Sequence, residues 1–319
     1  MLNTDETSVR APDDHEPASC GCEDASRDCE LVSLGREPAP RTCERLLDLY
    51  DQLRSQETLT PSPAVDSLFT ELVRLCLGTD ETPSEDVLSD PRIHGVREDL
   101  VRLCAEGETL LEMAWARRVL GAEEPWEELD AFPYRNNYDE LTRLEMHALA
   151  GSGCPTPGLR RVCVLGGGPL PLTALLLHRA LSVEVTIVDR DRRALELSDR
   201  LVRRLVPDGG VRVEQGDATC VSDMARVLGG CDLVVLAALV GADRDQKRQC
   251  LRAIAAALAP GAHLLVRSAD GLRTLLYPVV HRCDVRESGF VPRTLVHPLG
   301  EVVNSVLVAR RAGTASPQS

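Results

Sequence analysis

A run of glycines between an apolar strand and an apolar helix is the strongest chemical signal in the chain. The β-branched run ends at Gly166, and the sequence continues Gly-Gly-Pro-Leu-Pro-Leu-Thr into an apolar segment at residues 172–181. Glycines at such a turn let backbone N–H groups approach a ligand, with the helix N-terminus beyond them. Pro169 suits the first helical turn and stiffens the entry to it. We therefore predict a small-molecule site at Gly166, Gly168, Pro169 and Leu170, with a tight turn that binds nothing as the alternative.

Acidic residues end the next two predicted strands. Asp189 lies 21 residues after Gly168, where a carboxylate can accept hydrogen bonds from both ribose hydroxyls of a nucleotide. Its alternative role is to cap the following helix, which Asp191 could do equally well. Asp217 ends the third strand and could bind an adenine amino group, with a plain loop position as its alternative. We place Ala237, at the end of the fourth strand, in the same site.

Two glutamates share one face of a predicted helix. Glu108 and Glu112 are four residues apart on a stripe that is otherwise small and apolar. Burial and like charge both raise the pKa of a carboxyl group, which suits a general base working near neutrality. Two solvated glutamates at a helix edge are the alternative. On the next predicted helix, Tyr138 and Glu145 also share a partly apolar face, where a tyrosine is more often a packing residue than a catalyst.

The region from about Cys43 to Ala150 has helical periodicity. Apolar residues from Val65 to Cys76 recur at helical spacing, with Ser62 placed to cap the helix and Gly78 to end it. A second helix is predicted over residues 96–120. A third is predicted to start near Asn137, with Glu140 as its capping-box partner.

Strands alternate with helices in the second half of the chain. The predicted strands are residues 161–165, 184–188, 211–215, 232–237 and 263–267, and the helices between them are 192–205, 224–228 and 245–258. This alternation predicts a parallel sheet with helices on both faces. Two late strands, 284–292 and 302–310, would add an antiparallel edge pair. The order matches the class I S-adenosylmethionine-dependent methyltransferase-like fold, and the Pro-Leu-Pro continuation with this edge pair favours S-adenosylmethionine over NAD as ligand.

Composition and charge limit the function further. We predict an acidic disordered tail at 1–42, a helical domain at 43–155, a Rossmann-like α/β domain at 156–311 and a short tail at 312–319. The net charge of −14 argues against a nucleic-acid partner. Without a secretory leader or an apolar run long enough to span a membrane, we expect a cytoplasmic protein with small-molecule substrates and no membrane partner. The sequence leaves the oligomeric state open, with a homodimer as one expectation.

Twelve scattered cysteines are expected to be free thiols. The cluster Cys20, Cys22, Cys29 and Cys43 lacks the partners of a complete metal site, so we expect no metal cofactor. All 36 basic residues except Lys247 are arginine, which suggests a coding bias more than chemistry.

Eight segments of the chain are similar to one enzyme family. They are residues 60–73, 132–138, 144–145, 166–173, 236–241, 267–273, 277–279 and 297–306. In these segments the chain resembles the nicotianamine synthases, over nearly its whole length from about Leu49 to Arg310. The resemblance implies an enzyme that moves the aminocarboxypropyl group of S-adenosylmethionine onto an amine and releases methylthioadenosine. The acidic tail departs from the family pattern.

The resemblance also implies that Glu112 and Tyr138 serve the acceptor amine. The sulfonium of the donor activates three carbons, so such an enzyme must present Cγ, and not the methyl group, in line with the nucleophile. A positioned carboxylate that takes the proton of the amine could supply roughly 10²–10⁴ in rate. Tyr138 would orient the amine or relay that proton. We further expect Glu108, Glu145 and Arg273 to bind the acceptor.

Several products and two other classes of protein remain open at this point. Three transfers and a ring closure would give nicotianamine, and a single transfer onto another amine would give an opine-type metallophore precursor. Attack by the donor's own amine would give azetidine-2-carboxylate. An ordinary methyltransferase would release S-adenosylhomocysteine, and a non-catalytic binding protein would release nothing. The helical region with Glu112 and Tyr138 weighs against these last two.

Overall fold

The computed structural model describes residues 39–78 and 83–313. The predicted tail lies outside these residues except at its end, because the first helix already begins at Ala39. Cys20, Cys22 and Cys29 are also outside the described residues. No helix in the described ranges is long and apolar enough to cross a membrane.

Six helices come first in the described part of the chain. They are α1 (Ala39–Arg54), α2 (Pro63–Leu77), α3 (Ser84–Leu88), α4 (Pro91–Gly121), α5 (Pro125–Asp130) and α6 (Arg135–Gly151). Ser62 caps α2 as predicted, since its side chain accepts a hydrogen bond from the backbone N–H of Val65. The helix predicted over residues 96–120 is α4, and it begins earlier than predicted. Asp90 caps it and Pro91 is its first residue.

Helix α4 connects two apolar cores. Its 31 residues extend over about 46 Å. Leu100, in its first half, is fully buried in a cluster formed with α1 and α2. Ala116 and Val119, in its second half, are fully buried in a different cluster, together with apolar residues of the sheet. The middle of α4 therefore lies between the helical layer and the sheet, and this is where the two glutamates are found.

A seven-stranded sheet forms the second half of the chain. Its elements are β1 (Arg161–Leu165), α7 (Leu172–Leu181), β2 (Glu184–Asp189), α8 (Arg192–Leu205), β3 (Val211–Gln215), α9 (Val221–Val227), β4 (Leu233–Leu236), α10 (Arg244–Ala257), β5 (His263–Ser268), α11 (Arg282–Glu287), β6 (Phe290–Val296) and β7 (Ser305–Arg311). The strand order is β3-β2-β1-β4-β5-β7-β6. Strands β1 to β5 are parallel, and β7 is antiparallel to both of its neighbours. The predicted α/β architecture with an antiparallel edge pair is confirmed.

The register of the central strands brings the predicted ligand-binding turns together. Leu165 at the end of β1 pairs with Val188 of β2 and with Leu236 of β4. The residues that follow these strand ends therefore meet at one edge of the sheet. In doubly wound sheets the ligand lies at this carboxyl edge.

Two local predictions were wrong. Helix α6 begins at Arg135 without a side-chain cap, and Asn137 instead donates a hydrogen bond of 2.9 Å to the carbonyl of Glu301. The predicted strand at 284–292 is divided between α11 and β6. Val285 is fully buried within that short helix, and Gly289 lies between helix and strand at a φ of +89°, which favours glycine.

Candidate active site

One large cavity lies between the carboxyl edge of the sheet and helices α2, α4 and α6. Its volume is about 950 Å³, at the upper end of the range for ligand pockets. Ten of the twelve predicted site residues line it: Glu108, Glu112, Tyr138, Gly166, Gly168, Pro169, Leu170, Asp189, Asp217 and Ala237. We call the part lined by the strand ends the donor half, and the part lined by α2, α4, α6 and Tyr277 the acceptor half.

The glycine turn of the donor half leaves no space for side chains. Gly166 and Gly168 have φ angles of +82° and +63°. A Cβ atom at Gly166 would lie 2.1 Å from Val240, and one at Gly168 would lie 2.6 Å from Glu112 Oε2. Both positions therefore require glycine. The second distance also shows that the Glu112 carboxylate rests directly against this turn.

Asp189 joins the glycine turn to the end of β2. Its Oδ2 accepts a hydrogen bond of 3.0 Å from Gly168 N, and its Oδ1 accepts one of 2.9 Å from Asp191 N. The cap of α8 is Asp191, whose side chain accepts from Arg193 N at 2.8 Å. The capping role that competed for Asp189 therefore belongs to Asp191, and Asp189 remains in the cavity wall.

Two further strand ends complete the donor half. Asp217 Oδ1 accepts hydrogen bonds from Thr219 N at 2.8 Å and Thr219 Oγ1 at 2.7 Å. These bonds, first of all the one from the backbone, lower the pKa of Asp217 and keep it ionised. Ala237 follows β4, and its N–H donates to the carbonyl of Leu165 at 3.0 Å.

Lys247 supports the loop after β4 from behind. This fully buried side chain donates a hydrogen bond of 2.6 Å to the carbonyl of Ala238 and one of 3.4 Å to that of Ala237. Burial lowers the pKa of its ammonium group to about 7. The only lysine in the chain therefore has a structural role, which is to hold the loop after β4, and coding bias does not explain this role.

Glu112 and Tyr138 form a carboxylate–tyrosine pair where the two halves meet. The hydroxyl of Tyr138 donates to Glu112 Oε1 at 3.2 Å, and Glu112 is 7% exposed. Burial, and then the charge of Glu108, raise the pKa of Glu112 well above its usual value. The pKa of Tyr138 is also raised well above normal, by burial and then by Glu112, so its hydroxyl keeps its proton. A buried carboxylate with a raised pKa can accept a proton from an amine near neutrality.

A second carboxylate–tyrosine pair contains Glu108, which lies one turn before Glu112 on α4. Tyr277 donates to Glu108 Oε2 at 2.8 Å, and both side chains line the cavity. Burial is the main cause that raises the pKa of Glu108, and it also raises that of Tyr277. Tyr277 follows β5 and was not among the predicted site residues.

The remaining two predicted residues do not line the cavity. Glu145 is fully buried behind the wall, where it accepts bonds of 2.7 and 3.3 Å from Arg267. Arg273 lies in the short 3₁₀ turn Gly271–Leu275, which directs its guanidinium to the carbonyl of Gly300 at 2.8 Å. Contrary to the prediction, the structure does not bring Arg273 into the cavity.

Sequence reasoning missed several residues of the cavity wall. They are Trp115, Phe132, Arg267, Tyr277 and Asn304. Arg267 is 5% exposed, and its guanidinium carbon lies 5.9 Å from the centre of the Tyr138 ring. The sequence did carry a signal for Arg267, namely an arginine inside an otherwise apolar strand. Because an arginine is almost never buried without a partner, this position predicts a buried ion pair. Among the described residues, no group of three or more potential metal ligands is placed to hold a metal ion.

Comparisons with known proteins agree on one family. The model of the family "Nicotianamine synthase protein" matches residues 38–316. Nicotianamine synthase 2 of Arabidopsis thaliana is 37% identical over 275 residues, which are 85% of this chain and 83% of that protein. Nicotianamine synthase 9 of Hordeum vulgare is 40% identical over 262 residues, 82% of this chain and 76% of that protein.

Solved structures of MtNAS have the same fold. A glutamate-to-glutamine mutant of MtNAS in complex with S-adenosylmethionine has a TM-score of 0.70 and 25% identity, covering 85% of this chain and 98% of that one. MtNAS in complex with MTA and tNA has a TM-score of 0.69, with 86% and 97% covered. With the family model matched over nearly all of the described residues and relatives at these identities, the chain belongs to the nicotianamine synthase family.

Proposed function

We propose that this enzyme makes nicotianamine from S-adenosylmethionine by transferring aminocarboxypropyl groups to an acceptor amine and releasing methylthioadenosine. One observation carries the proposal: the buried Glu112 carboxylate, bonded to Tyr138, lies against the glycine turn of the donor half and faces the acceptor half. A base in this position could take a proton from an amine in the acceptor half next to a donor bound at the glycine turn. The relatives named nicotianamine synthase and the MtNAS complexes support the same reaction.

The donor half would hold S-adenosylmethionine by its nucleoside. Asp189 is placed to accept hydrogen bonds from the ribose hydroxyls, because its two oxygens use only one contact each within the protein. Asp217 would accept from the adenine amino group through its second oxygen, since Thr219 occupies the first. The glycine turn allows the backbone to approach the donor closely.

The transfer step is a nucleophilic substitution at the donor's Cγ. Glu112 takes a proton from the acceptor ammonium, which frees the lone pair of the nitrogen. That pair forms the new N–C bond, the C–S bond breaks, and its electrons remain on the sulfur of methylthioadenosine. Tyr138 donates its hydrogen bond to Glu112 and fixes the carboxylate in line with the amine. The positive charge of the sulfonium is lost in this step, so the reaction needs no metal ion to stabilise a leaving group.

Mass spectrometry of the products from S-adenosylmethionine alone tests the proposal. We expect nicotianamine, together with three molecules of methylthioadenosine for each molecule formed. Azetidine-2-carboxylate as the only amino-acid product would select the cyclase reaction instead. S-adenosylhomocysteine as the main nucleoside would indicate a methyltransferase and overturn the proposal.

The proposed setting is the reducing cytoplasm, with small molecules as the only substrates. All nine described cysteines are free, which fits a compartment that keeps thiols reduced. The net charge of −14 is unfavourable for contact with nucleic acid. The expected homodimer stays a prediction, which light scattering on the purified enzyme would test.

A further inference from the structure

A buried ion pair that the transfer step does not use lies next to Tyr138. Arg267 donates hydrogen bonds of 2.7 and 3.3 Å to the two carboxylate oxygens of Glu145. The guanidinium carbon of Arg267 lies 5.9 Å from the centre of the Tyr138 ring. Among the described residues that line the cavity, Arg267 is the only buried arginine or lysine. The pair is therefore part of the surroundings of the proposed base, without a task in the transfer itself.

The stability of the fold is a weak reason for this pair. Taking two charges out of water costs about as much free energy as their attraction returns, and well-packed apolar residues in their place are often neutral or stabilising. The three residues of β5 before Arg267 are apolar and fully buried or nearly so, namely Leu264, Leu265 and Val266. A fourth apolar residue would fit the pattern of this strand. We therefore look for a role of the pair in the site.

The elements that carry the pair also determine where Tyr138 lies. Tyr138 and Glu145 are seven residues apart on α6, which is about two helical turns, so they share one face of this helix. Arg267 lies near the end of β5, an inner strand that pairs with β4 on one side and with β7 on the other. The ion pair thus joins α6 to the sheet, and the same guanidinium contacts the tyrosine ring.

We propose that Arg267 and Glu145 are positioning residues, which fix the ring of Tyr138 so that its hydroxyl reaches Glu112. This inference rests on the proposed function, in which Glu112 is the base. Glu145 holds the guanidinium at two points, and the guanidinium attracts the face of the aromatic ring. With the ring fixed, its hydroxyl donates the hydrogen bond of 3.2 Å to Glu112. Neither positioning residue needs to contact the donor or the acceptor for this role.

This role requires an arginine. The planar guanidinium can bond both oxygens of a carboxylate and stack on an aromatic ring at the same time, whereas the ammonium group of a lysine is a point charge on a flexible stem. A change from arginine to lysine therefore keeps the charge at this position and removes the geometry. Glu145→Asp does the same from the other partner, because it keeps the carboxylate and withdraws it from Arg267 by one methylene group.

Turnover and donor affinity of these two variants test the inference. Both variants keep the two opposite charges, so neither leaves a buried charge without a partner. In Arg267→Lys and in Glu145→Asp, we expect kcat to fall about tenfold, because the hydroxyl no longer holds the Glu112 carboxylate in line with the amine. The dissociation constant of S-adenosylmethionine should change by less than about threefold. Methylthioadenosine release measures kcat, calorimetry measures the affinity, and melting temperatures show whether each variant is folded.

Combination with Tyr138→Phe separates positioning from a general structural role. Tyr138→Phe removes the hydroxyl that the ion pair is proposed to orient. In this background Arg267→Lys should lower kcat by less than about twofold, because residues that act through one another have non-additive effects. Losses of kcat that multiply in the double variant would show that Arg267 acts independently of the hydroxyl, and this result would overturn the inference. An affinity loss larger than the loss of kcat would also overturn it.

A second arginine–carboxylate pair supplies the matched control. Arg244 donates bonds of 2.8 and 3.0 Å to the two oxygens of the buried Asp284, and neither residue lines the cavity. Arg244→Lys makes the same chemical change and should leave kcat as in the parent. A loss equal to that of Arg267→Lys would contradict the proposed role. A parent enzyme that releases no methylthioadenosine would instead overturn the proposed function.

Discussion

The two halves of the cavity are built from different parts of the fold. In the donor half, the wall consists of residues at strand ends: the glycine turn, Asp189, Asp217 and the loop after β4. In the acceptor half, the wall consists of side chains on α4 and α6 and of Tyr277. The donor half thus depends on backbone conformation, and the acceptor half depends on which carboxylates are buried and what they bond.

Because of this difference, we expect the donor half to determine binding and Glu112 in the acceptor half to determine the chemical step. Asp189 and Asp217 each accept hydrogen bonds from donors of the protein, and these bonds lower the pKa of Asp217. Glu112 has lost most of its contact with water and lies near a second carboxylate, so its pKa is raised. Changes in the donor half should therefore alter affinity, whereas changes at Glu112 should alter turnover.

The largest effect is expected for Glu112→Gln. The amide keeps the shape and one acceptor oxygen, but it cannot take a proton from the attacking amine. Turnover should fall by roughly 10²-fold or more, while the dissociation constant of S-adenosylmethionine changes only a few-fold. Methylthioadenosine release and calorimetry on the same preparation measure both quantities. Tyr138→Phe should lower turnover less than Glu112→Gln does if the hydroxyl only orients the amine. It should lower turnover by the same factor if the hydroxyl relays the proton.

A smaller effect on turnover, and a larger one on affinity, is expected for Asp189→Ala. The variant loses charge-assisted hydrogen bonds to the ribose, which are worth roughly 1.5–3 kcal/mol. The affinity for S-adenosylmethionine should therefore fall about tenfold to hundredfold, with the fold retained in circular dichroism. Asp191→Ala is the matched control, because it removes the cap of α8 and keeps the Asp189 side chain. Equal affinity losses in the two variants would contradict the ribose role.

A moderate loss of donor affinity is expected for Lys247→Met. This change keeps an unbranched side chain as far as Cε and removes both hydrogen bonds to the loop after β4. Because the loop forms one wall of the donor half, the dissociation constant of S-adenosylmethionine should rise by about tenfold. Arg252→Met, at an exposed position of the same helix, should have no such effect. An unchanged dissociation constant would reduce Lys247 to a packing role.

The smallest effect is a shift of the pH profile in Glu108→Gln. Glu112 must be ionised to act as a base, so turnover falls as the pH drops through its pKa. The charge of Glu108 raises that pKa, and its removal should move the acidic limb of kcat to lower pH. Methylthioadenosine release against pH measures the shift, and Glu106→Gln is the control. A shift to higher pH would show that Glu108 does not act on Glu112 through its charge.

Most of the donor half could be predicted from the sequence, because its contacts are local. The strand Val211–Gln215 and the helix Arg192–Leu205 have the predicted ends, and the glycine turn follows from the residues around Gly166. The spacing showed that either Asp189 or Asp191 could cap α8, but it could not say which of them does. The hydrogen bonds of the structure assign the cap to Asp191.

The acceptor half could be predicted only in part, because its pairs join distant parts of the chain. Tyr277 lies 169 residues from Glu108, and Arg267 lies 122 residues from Glu145. No local pattern reports such contacts. Glu108 and Glu112 could be identified as a stripe on one helix, but their burial follows from the packing of α4 between two cores. Arg273 was misplaced for the same reason, since the direction of its side chain depends on a 3₁₀ turn that the sequence pattern did not indicate.

We propose that the two halves act together to move the aminocarboxypropyl group, and not the methyl group, of the donor. S-adenosylmethionine carrying a deuterated methyl group tests this most directly. After incubation with the enzyme, mass spectrometry should find all of the deuterium in methylthioadenosine and none in the amino-acid product. Deuterium in the amino-acid product, accompanied by unlabelled S-adenosylhomocysteine, would contradict the account.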